Sequence, residues 1–279
     1  MNSFFEAIFS NNLLLYALLA GLVASIVGGI IGSYVVVKRI AFISGSISHS
    51  ILAGLGFFLW LERVQQISFA SPFQGALIAG VVSALLIGWI HLKYRQREDA
   101  VIAAVWAVGM AIGILFMSQT PGYNVELTNF LVGNLLWVSE RDLAFLCILD
   151  VAVIITCYLL HHRLLAICFD EDQARLQGLA VNRLYLLLLS LIAITVVLLM
   201  QVVGIILVMT MLTLPATIAN LYTNKLSTMM GLSIVFSMAF CFIGMFLSFH
   251  LDWPAGATIA LVAGITYVMC LLINKKGSK

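Results

Sequence analysis

The sequence predicts an all-α, polytopic membrane protein with eight to nine transmembrane helices. Of its 279 residues, 63% are apolar and only 9% are charged, and the mean hydropathy is +1.12. In ordinary soluble domains about a quarter of the residues are charged, so the composition excludes that class. Apolar runs of about 20 residues, the length that crosses a bilayer, recur along the chain. We therefore expect a single transmembrane domain over residues 1–279.

Several function classes are excluded by what the sequence lacks. No basic cluster is flanked by exposed aromatic residues, so the net charge of +2 gives no sign of nucleic-acid binding. The five cysteines are scattered in or near apolar runs without a CxxC pair, which indicates small hydrophobic residues rather than disulfides or a zinc site. No G-x-x-x-x-G-K-[ST] motif is present, so we expect no ATP binding by that route. The N-terminus has no basic n-region, and we interpret the first span as a permanent helix.

The first four spans are predicted from apolar runs that are separated by polar loops. They cover about Leu13–Val37, Ile40–Trp60, Gln74–Leu92 and Ala100–Ser118. In the first and third spans small residues recur every four positions, which lets another helix approach closely. These ridges consist of Ala24, Gly28 and Gly32 in the first span, and of Ala76, Gly80, Ala84 and Gly88 in the third.

The second half of the chain contains shorter and more polar segments. Asn129–Ser139 is apolar but too short to cross, so we expect a re-entrant or interfacial helix there. The fifth span, about Leu143–Leu160, contains Asp150, which could line a pathway, pair with another helix or lie near the surface. The longest polar interruption, His161–Arg183, comes next. The last two spans are predicted at about Met229–Phe249 and Ala255–Asn274.

The uncharged run Tyr185–Tyr222 could cross the membrane once or twice, and the charge distribution decides. If it turns back near Gln201–Gly204, every Lys and Arg except Arg63 and Arg141 lies on one side. A single crossing leaves a nearly even split, so the positive-inside rule favours two. This places the N-terminus outside and the C-terminus in the cytoplasm. Pro215 lies in the return pass, which we expect to be short or broken and buried in protein.

His49 is the strongest candidate for direct chemistry. It lies inside the second span, in Lys38–Gly56, and is surrounded by Ser44, Ser46, Ser48 and Ser50. An ionisable group at this depth is costly and usually functional, and a neutral imidazole binds Zn, Mn or Fe. The alternatives are a structural histidine bonded to a serine, and an intramembrane hydrolase that uses Ser46 or Ser48. The hydrolase lacks both a G-x-S-x-G elbow and a carboxylate in this helix to orient the imidazole.

Two other segments carry candidate residues. His250 and Asp252 lie at the outer end of a span beside a proline and a glycine, which fits a turn as readily as an ion entrance. Phe169–Leu179 has acidic residues before a short helical stretch and a glycine after it. That pattern predicts a small docking helix, although a solvated loop has the same composition.

Six segments, in the order of the chain, resemble the metal-type permease subunits of bacterial ABC importers, which serve zinc, manganese and iron. They are Arg39–Gly54, Asp99–Phe116, Leu127–Leu143, Phe169–Tyr185, Val202–Leu221 and, as a weaker match, Ser248–Leu261.

The resemblance implies a permease subunit in the bacterial inner membrane that carries a divalent metal ion and has no permanently bound cofactor. Two cytoplasmic ATPase subunits, an extracytoplasmic solute-binding protein and a second permease copy or paralogue would be its partners. The coupling loop would span about residues 161–184, with Phe169–Leu179 as the coupling helix and Asp170, Ala174 and Gly178 at recurrent positions. Asn129–Ser139 would lie near the binding-protein dock.

His49 coincides with the histidine of the family's second-helix metal site, but a nearby residue differs from the family's pattern. Many zinc and manganese members have an Asp four residues before the histidine, where this chain has Gly45. Either another acid compensates, or the ion passes more loosely. A permease for siderophores, haem or corrinoids remains an alternative. The hypothesis of a secondary transporter is less favoured, because the sequence shows no clear inverted repeat.

Overall fold

The computed structural model describes residues 4–67, 69–94, 98–122 and 140–277, and these residues form helices and no strands. Nine of the described helices are long and apolar enough to cross a membrane. The predicted fold class is therefore confirmed, and Asn129–Ser139 lies outside the described residues. The helices are α1 (Phe4–Ser10), α2 (Asn12–Val37), α3 (Ala41–Arg63), α4 (Pro72–Tyr94), α5 (Glu98–Ser118), α6 (Glu140–Phe169), α7 (Glu171–Leu176), α8 (Val181–Val203), α9 (Ile205–Tyr222), α10 (Leu226–Leu251) and α11 (Ala255–Gly277).

The chain divides into two compact units, each built from separate stretches of sequence. The first unit comprises Met1–Val37, Asn129–Thr156 and Leu198–Lys279. The second comprises Lys38–Thr128 and Cys157–Val197. A single transmembrane domain stays a prediction.

In the first unit, α2 packs against α9 and α10 through its glycines. A Cβ at Gly29 would lie 2.8 Å from the backbone nitrogen of Ile234, and one at Gly32 would overlap the carbonyl oxygen of Leu212. Only glycine allows the backbones to approach this closely. The close approach predicted for the ridge of the first span is confirmed at Gly32, whereas Gly29 lies outside that ridge.

In the second unit, α3 lies between α4 and α5 and contacts both at the level of the backbone. A Cβ at Gly54 would overlap the carbonyl oxygen of Gly75 in α4, and one at Gly109 in α5 would lie 2.5 Å from Cα of Ser50. The ridge predicted for the third span is buried along α4, as expected. The helix that carries His49 is therefore held on two sides by contacts that leave no space for side chains.

The run from Tyr185 to Tyr222 contains two helices, α8 and α9, joined at Gly204. Gly204 has φ 79° and ψ 165°, a backbone conformation that is essentially restricted to glycine. The predicted turn near Gln201–Gly204 is confirmed. The pass that contains Pro215 was expected to be short or broken and buried in protein. α9 is short, at 18 residues, half of it is buried, and it continues unbroken through the proline.

The fifth span extends further than the sequence indicated. We expected it to end near Leu160, but α6 continues to Phe169, so the first part of the predicted loop is helical. Leu164 and Ile167 are fully buried, while His162 and Arg163 are exposed. The polar residues occupy one face of a helix whose apolar face continues, and the interruption in the sequence is therefore not an interruption in the structure.

We expect Gly204→Ala to lower the thermal stability of the purified protein in detergent, because alanine is strained at this φ and ψ by ~1–3 kcal/mol. Gly264→Ala is the matched control. Gly264 lies inside α11 with no atom within 4 Å of a Cβ built there, so alanine should leave stability unchanged or raise it. Equal unfolding temperatures for Gly204→Ala and the parent protein would contradict the strained turn.

Candidate functional site

The imidazole of His49 is held face to face against the indole of Trp106. The two ring centroids are 4.2 Å apart and the ring planes differ by 11°. His49 lies on α3 and Trp106 on α5, so the stack joins the two helices that also meet at Gly109. Stacking uses the face of the imidazole ring and not its nitrogens. The Nδ1 atom of His49 is buried and has no hydrogen-bond partner among the described residues.

The four serines around His49 donate their hydroxyl protons to backbone carbonyls. Ser46 donates across to Ile102 of α5 at 2.8 Å, and the other three bond within the start of their own helix. None of these bonds involves His49. A hydrogen bond between His49 and a neighbouring serine, which the structural alternative requires, is therefore not observed. Neither Ser46 nor Ser48 is arranged as a nucleophile with His49 as its base.

Within the part of the chain that the structure describes, His49 has no neighbouring set of ligands. No group of three or more His, Cys, Asp or Glu residues that could hold a metal is found there. Gly45, where the resemblance expects an Asp, is buried in α3 and supplies no side chain. A single imidazole can bind a passing transition-metal ion, but it cannot retain one as a resident cofactor.

Asp150 lies on the buried face of α6, in line with Leu146 and Val153. Its side chain is 2% exposed, which excludes the surface position that the sequence left open. Neither carboxyl oxygen has a hydrogen-bond partner among the described residues. Buried polar atoms are nearly always paired, so an unpaired one indicates either a functional constraint or a ligand. Pairing with another helix is not observed among the described residues, and a lining position on a pathway stays a prediction.

The predicted docking helix is present as α7. The side chain of Asp170 accepts hydrogen bonds from the backbone nitrogens of Asp172 and Gln173, at 3.0 and 2.9 Å. Ala174 is 1% exposed, and Gly178 follows the helix with φ 79°. The N-cap and the glycine terminate the helix on both sides, as the sequence predicted.

Sequence reasoning treated Lys38 only as part of the charge asymmetry, and the structure gives it a specific partner. Its Nζ atom donates to Oε1 of Glu171 at 2.5 Å and to the carbonyl oxygen of Ile167 at 2.8 Å. The two charged residues are 133 positions apart. No local periodicity connects them, so only the folded chain reveals the pair.

His250 and Asp252 occupy the turn that ends α10. Asp252 caps the helix with φ 54°, and the ring of His250 contacts those of Phe246 and Phe249. Both residues are exposed. The turn is therefore present, with Asp252 as its left-handed cap, and an ion entrance at these residues stays a prediction.

Comparison with known proteins shows that the sequence matches the ABC 3 transport family over residues 10–274. A protein of Chlamydia muridarum described as a probable metal transport system membrane protein is 46% identical over 263 residues, which cover 94% of this chain and 89% of that protein. The manganese transport system membrane protein MntC of Halalkalibacterium halodurans is 32% identical over 273 residues, 98% of this chain and 91% of that protein.

A solved structure has the same architecture. A chain in the structure of PsaBC from Streptococcus pneumoniae in complex with Fab has a TM-score of 0.84 and 28% sequence identity. The match covers 96% of this chain and 94% of that chain.

We expect Asp150→Leu to raise the unfolding temperature, because it removes a buried carboxyl whose missing partners cost ~1–3 kcal/mol. Asp150→Asn keeps the shape and the buried polarity, and should leave stability close to that of the parent protein. A lower unfolding temperature for both variants, measured in the same detergent, would show that Asp150 is a structural residue with a stabilising contact.

Proposed function

The chain belongs to the ABC 3 transport family, and from this we propose that it is the permease subunit of a metal importer. It moves a divalent transition-metal ion into the cytoplasm, driven by ATP hydrolysis on separate subunits. It is a transport subunit rather than an enzyme, since its sequence contains no P-loop. The observation that carries the proposal is the imidazole of His49, held against Trp106 with a buried and unpartnered Nδ1.

A single imidazole ligand suits transient binding of a transported metal ion better than permanent binding. An ion in a conduction pathway must bind well enough to enter and weakly enough to leave. A site with a single nitrogen ligand and otherwise water meets the second requirement, and the absent carboxylate at Gly45 makes it weaker still. The metal is therefore cargo, and we assign no resident cofactor to this chain.

Manganese is the first cargo to test, with zinc and iron as alternatives. The protein of Halalkalibacterium halodurans is named as a manganese transport protein, and that of Chlamydia muridarum only as a metal transport protein. These names favour a free metal ion over a siderophore, haem or corrinoid.

The partners follow from the same assignment. α7 serves as the coupling helix that enters the ATPase, and its Leu176 is 90% exposed, as expected of a side chain that a partner covers. An extracytoplasmic solute-binding protein delivers the ion, and a second permease copy or paralogue completes the pathway. The charge asymmetry supports a cytoplasmic position for α7 and the C-terminus and an outside position for the N-terminus. The family supports the bacterial inner membrane as the location.

The pathway assignment predicts that His49→Ala lowers metal accumulation about tenfold, as expected for the loss of one liganding interaction of about 1.4 kcal/mol. Cellular Mn, Zn and Fe would be measured by mass spectrometry in a deletion strain under metal limitation, complemented with each variant. Tyr158→Ala is the control, since Tyr158 is also an aromatic side chain but is 82% exposed on α6 and lies outside the predicted coupling loop.

Membrane abundance and copurified ATPase are expected to be equal in the two variants. Undiminished accumulation with His49→Ala would make His49 structural. If the deletion changes none of the three metals, the proposed cargo is wrong and a chelated metal has to be considered.

The coupling assignment predicts that Leu176→Gln reduces copurification of the ATPase about tenfold, the effect of losing one well-buried apolar contact at an interface. The side chain touches almost nothing in the isolated chain, so the unfolding temperature should not change. Val64→Gln is the control, because Val64 is also exposed but lies at the far end of α3. If Leu176→Gln copurifies as much ATPase as the parent, α7 is not the docking element.

A further inference from the structure

Lys38 lies in a three-residue link between two membrane helices of the chain. α2 ends at Val37 and α3 begins at Ala41, so Lys38 is the first residue of the link, three positions before the helix that carries His49. The backbone of the link is constrained. Arg39 adopts the left-handed φ of 62°, and the carbonyl oxygen of Ile40 accepts a hydrogen bond from the amide of Ile43 at 3.0 Å. A displacement of Lys38 is therefore passed to the first turn of α3.

The ammonium group of Lys38 joins the link to two other elements of the second unit. Glu171 is the first residue of α7, and Ile167 lies in the last turn of α6. The last carbonyls of a helix lack partners within it and favour a cation. One side chain therefore holds the end of α6 and the start of α7 to the link before α3.

The pair is shielded, which distinguishes it from an ordinary surface ion pair. The side chains of Lys38 and Glu171 are 15% and 29% exposed, and Lys38 Nζ lies 5.9 Å from the ring centroid of Tyr185 in α8. Arg175 approaches the same carboxylate only to 3.9 Å and is 50% exposed. Charge-assisted bonds with low exposure hold one geometry, while exposed pairs contribute little.

The distance from this link to His49 is short. His49 comes eight residues after Ala41 in a continuous helix, which is about 12 Å at 1.5 Å per residue. Between them Ser46 bonds to the carbonyl of Ile102, and beyond them Gly54 and Gly109 hold α3 against α4 and α5. A packed helix of this kind moves as a body, since interiors have low compressibility.

We propose that the Lys38–Glu171 ion pair is the connection through which movement of the coupling helix α7 reaches α3 and shifts His49. This inference rests on the function proposed above and makes Lys38 a positioning residue that acts through α3. Docking of α7 to the ATPase depends on its exposed face, whereas the ion pair lies on its shielded side. Loss of the pair should therefore separate transport from ATP hydrolysis without releasing the ATPase.

The test uses the whole complex, reconstituted in proteoliposomes with its ATPase and binding protein. Uptake of radioactive Mn²⁺ and release of phosphate are measured together. Lys38→Met keeps the length of the side chain and removes the charge, and Glu171→Gln removes the charge from the other partner. Lys225→Met is the matched control, because Lys225 is an exposed lysine at the start of α10.

We expect Lys38→Met and Glu171→Gln to raise the ATP hydrolysed per Mn²⁺ transported about tenfold, the effect of losing a charge-assisted bond of about 1.5 kcal/mol. The double variant should be no worse than the worse single variant, because both remove one contact. Lys38→Arg, which can still donate to both acceptors, should restore the parent ratio. Copurified ATPase should stay constant throughout.

Three results would overturn the proposal. One is an unchanged ratio in both single variants, and another is an additive loss in the double variant. The third is loss of the ATPase from Lys38→Met, which would mean that the pair only shapes the docking helix. If Lys38→Met fails to fold, Glu171→Gln decides alone. A parent complex that transports no Mn²⁺, Zn²⁺ or Fe²⁺ would instead contradict the proposed function, and that failure is distinguishable because it appears before any substitution.

Discussion

Contact between helix backbones is the constraint on which both units depend. Lipid tails are as apolar as the side chains of the helices, so moving an apolar side chain from lipid into a helix contact gains little free energy. Membrane helices associate through close packing and hydrogen bonds instead. Glycines supply that packing in both units, at Gly29 and Gly32 of α2 and at Gly54 and Gly109 around α3. The stack of His49 on Trp106 exists because α3 and α5 approach this closely. The site is thus a consequence of the small residues beside it.

Among the described residues, the buried polar atoms without a hydrogen-bond partner include Nδ1 of His49 and the carboxyl group of Asp150. The four serines around His49 all donate to carbonyls, whereas these two groups have no partner, and the cost of such burial is normally avoided. The stack with Trp106 offsets part of that cost for His49 and orients the ring without using its nitrogens. A ligand that arrives and departs can use a nitrogen that no protein atom occupies.

The sequence predicted those features that local patterns determine. Apolar runs located the spans, small-residue spacing located the faces of α2 and α4, and the charge asymmetry required the turn at Gly204. It failed where a tertiary contact overrides a local signal: the polar residues His161–Arg163 do not end α6, because the helix keeps a buried face. Trp106 and the Lys38–Glu171 pair were missed for another reason. Their partners are distant in sequence, and no period of 3.6 residues marks them.

The second unit contains both α7 and the helix of His49, and this determines where a conformational signal can be transmitted. A unit whose helices meet at backbone level does not absorb displacement by rearranging side chains, so movement is confined to its links. The link between α2 and α3 is one such point, with a left-handed residue and a cation bound to two neighbouring helix ends. On the proposed function, mechanical input at α7 and the change at His49 occur within one packed body. The path inferred above, from α7 through the Lys38–Glu171 pair to α3, then lies within the second unit.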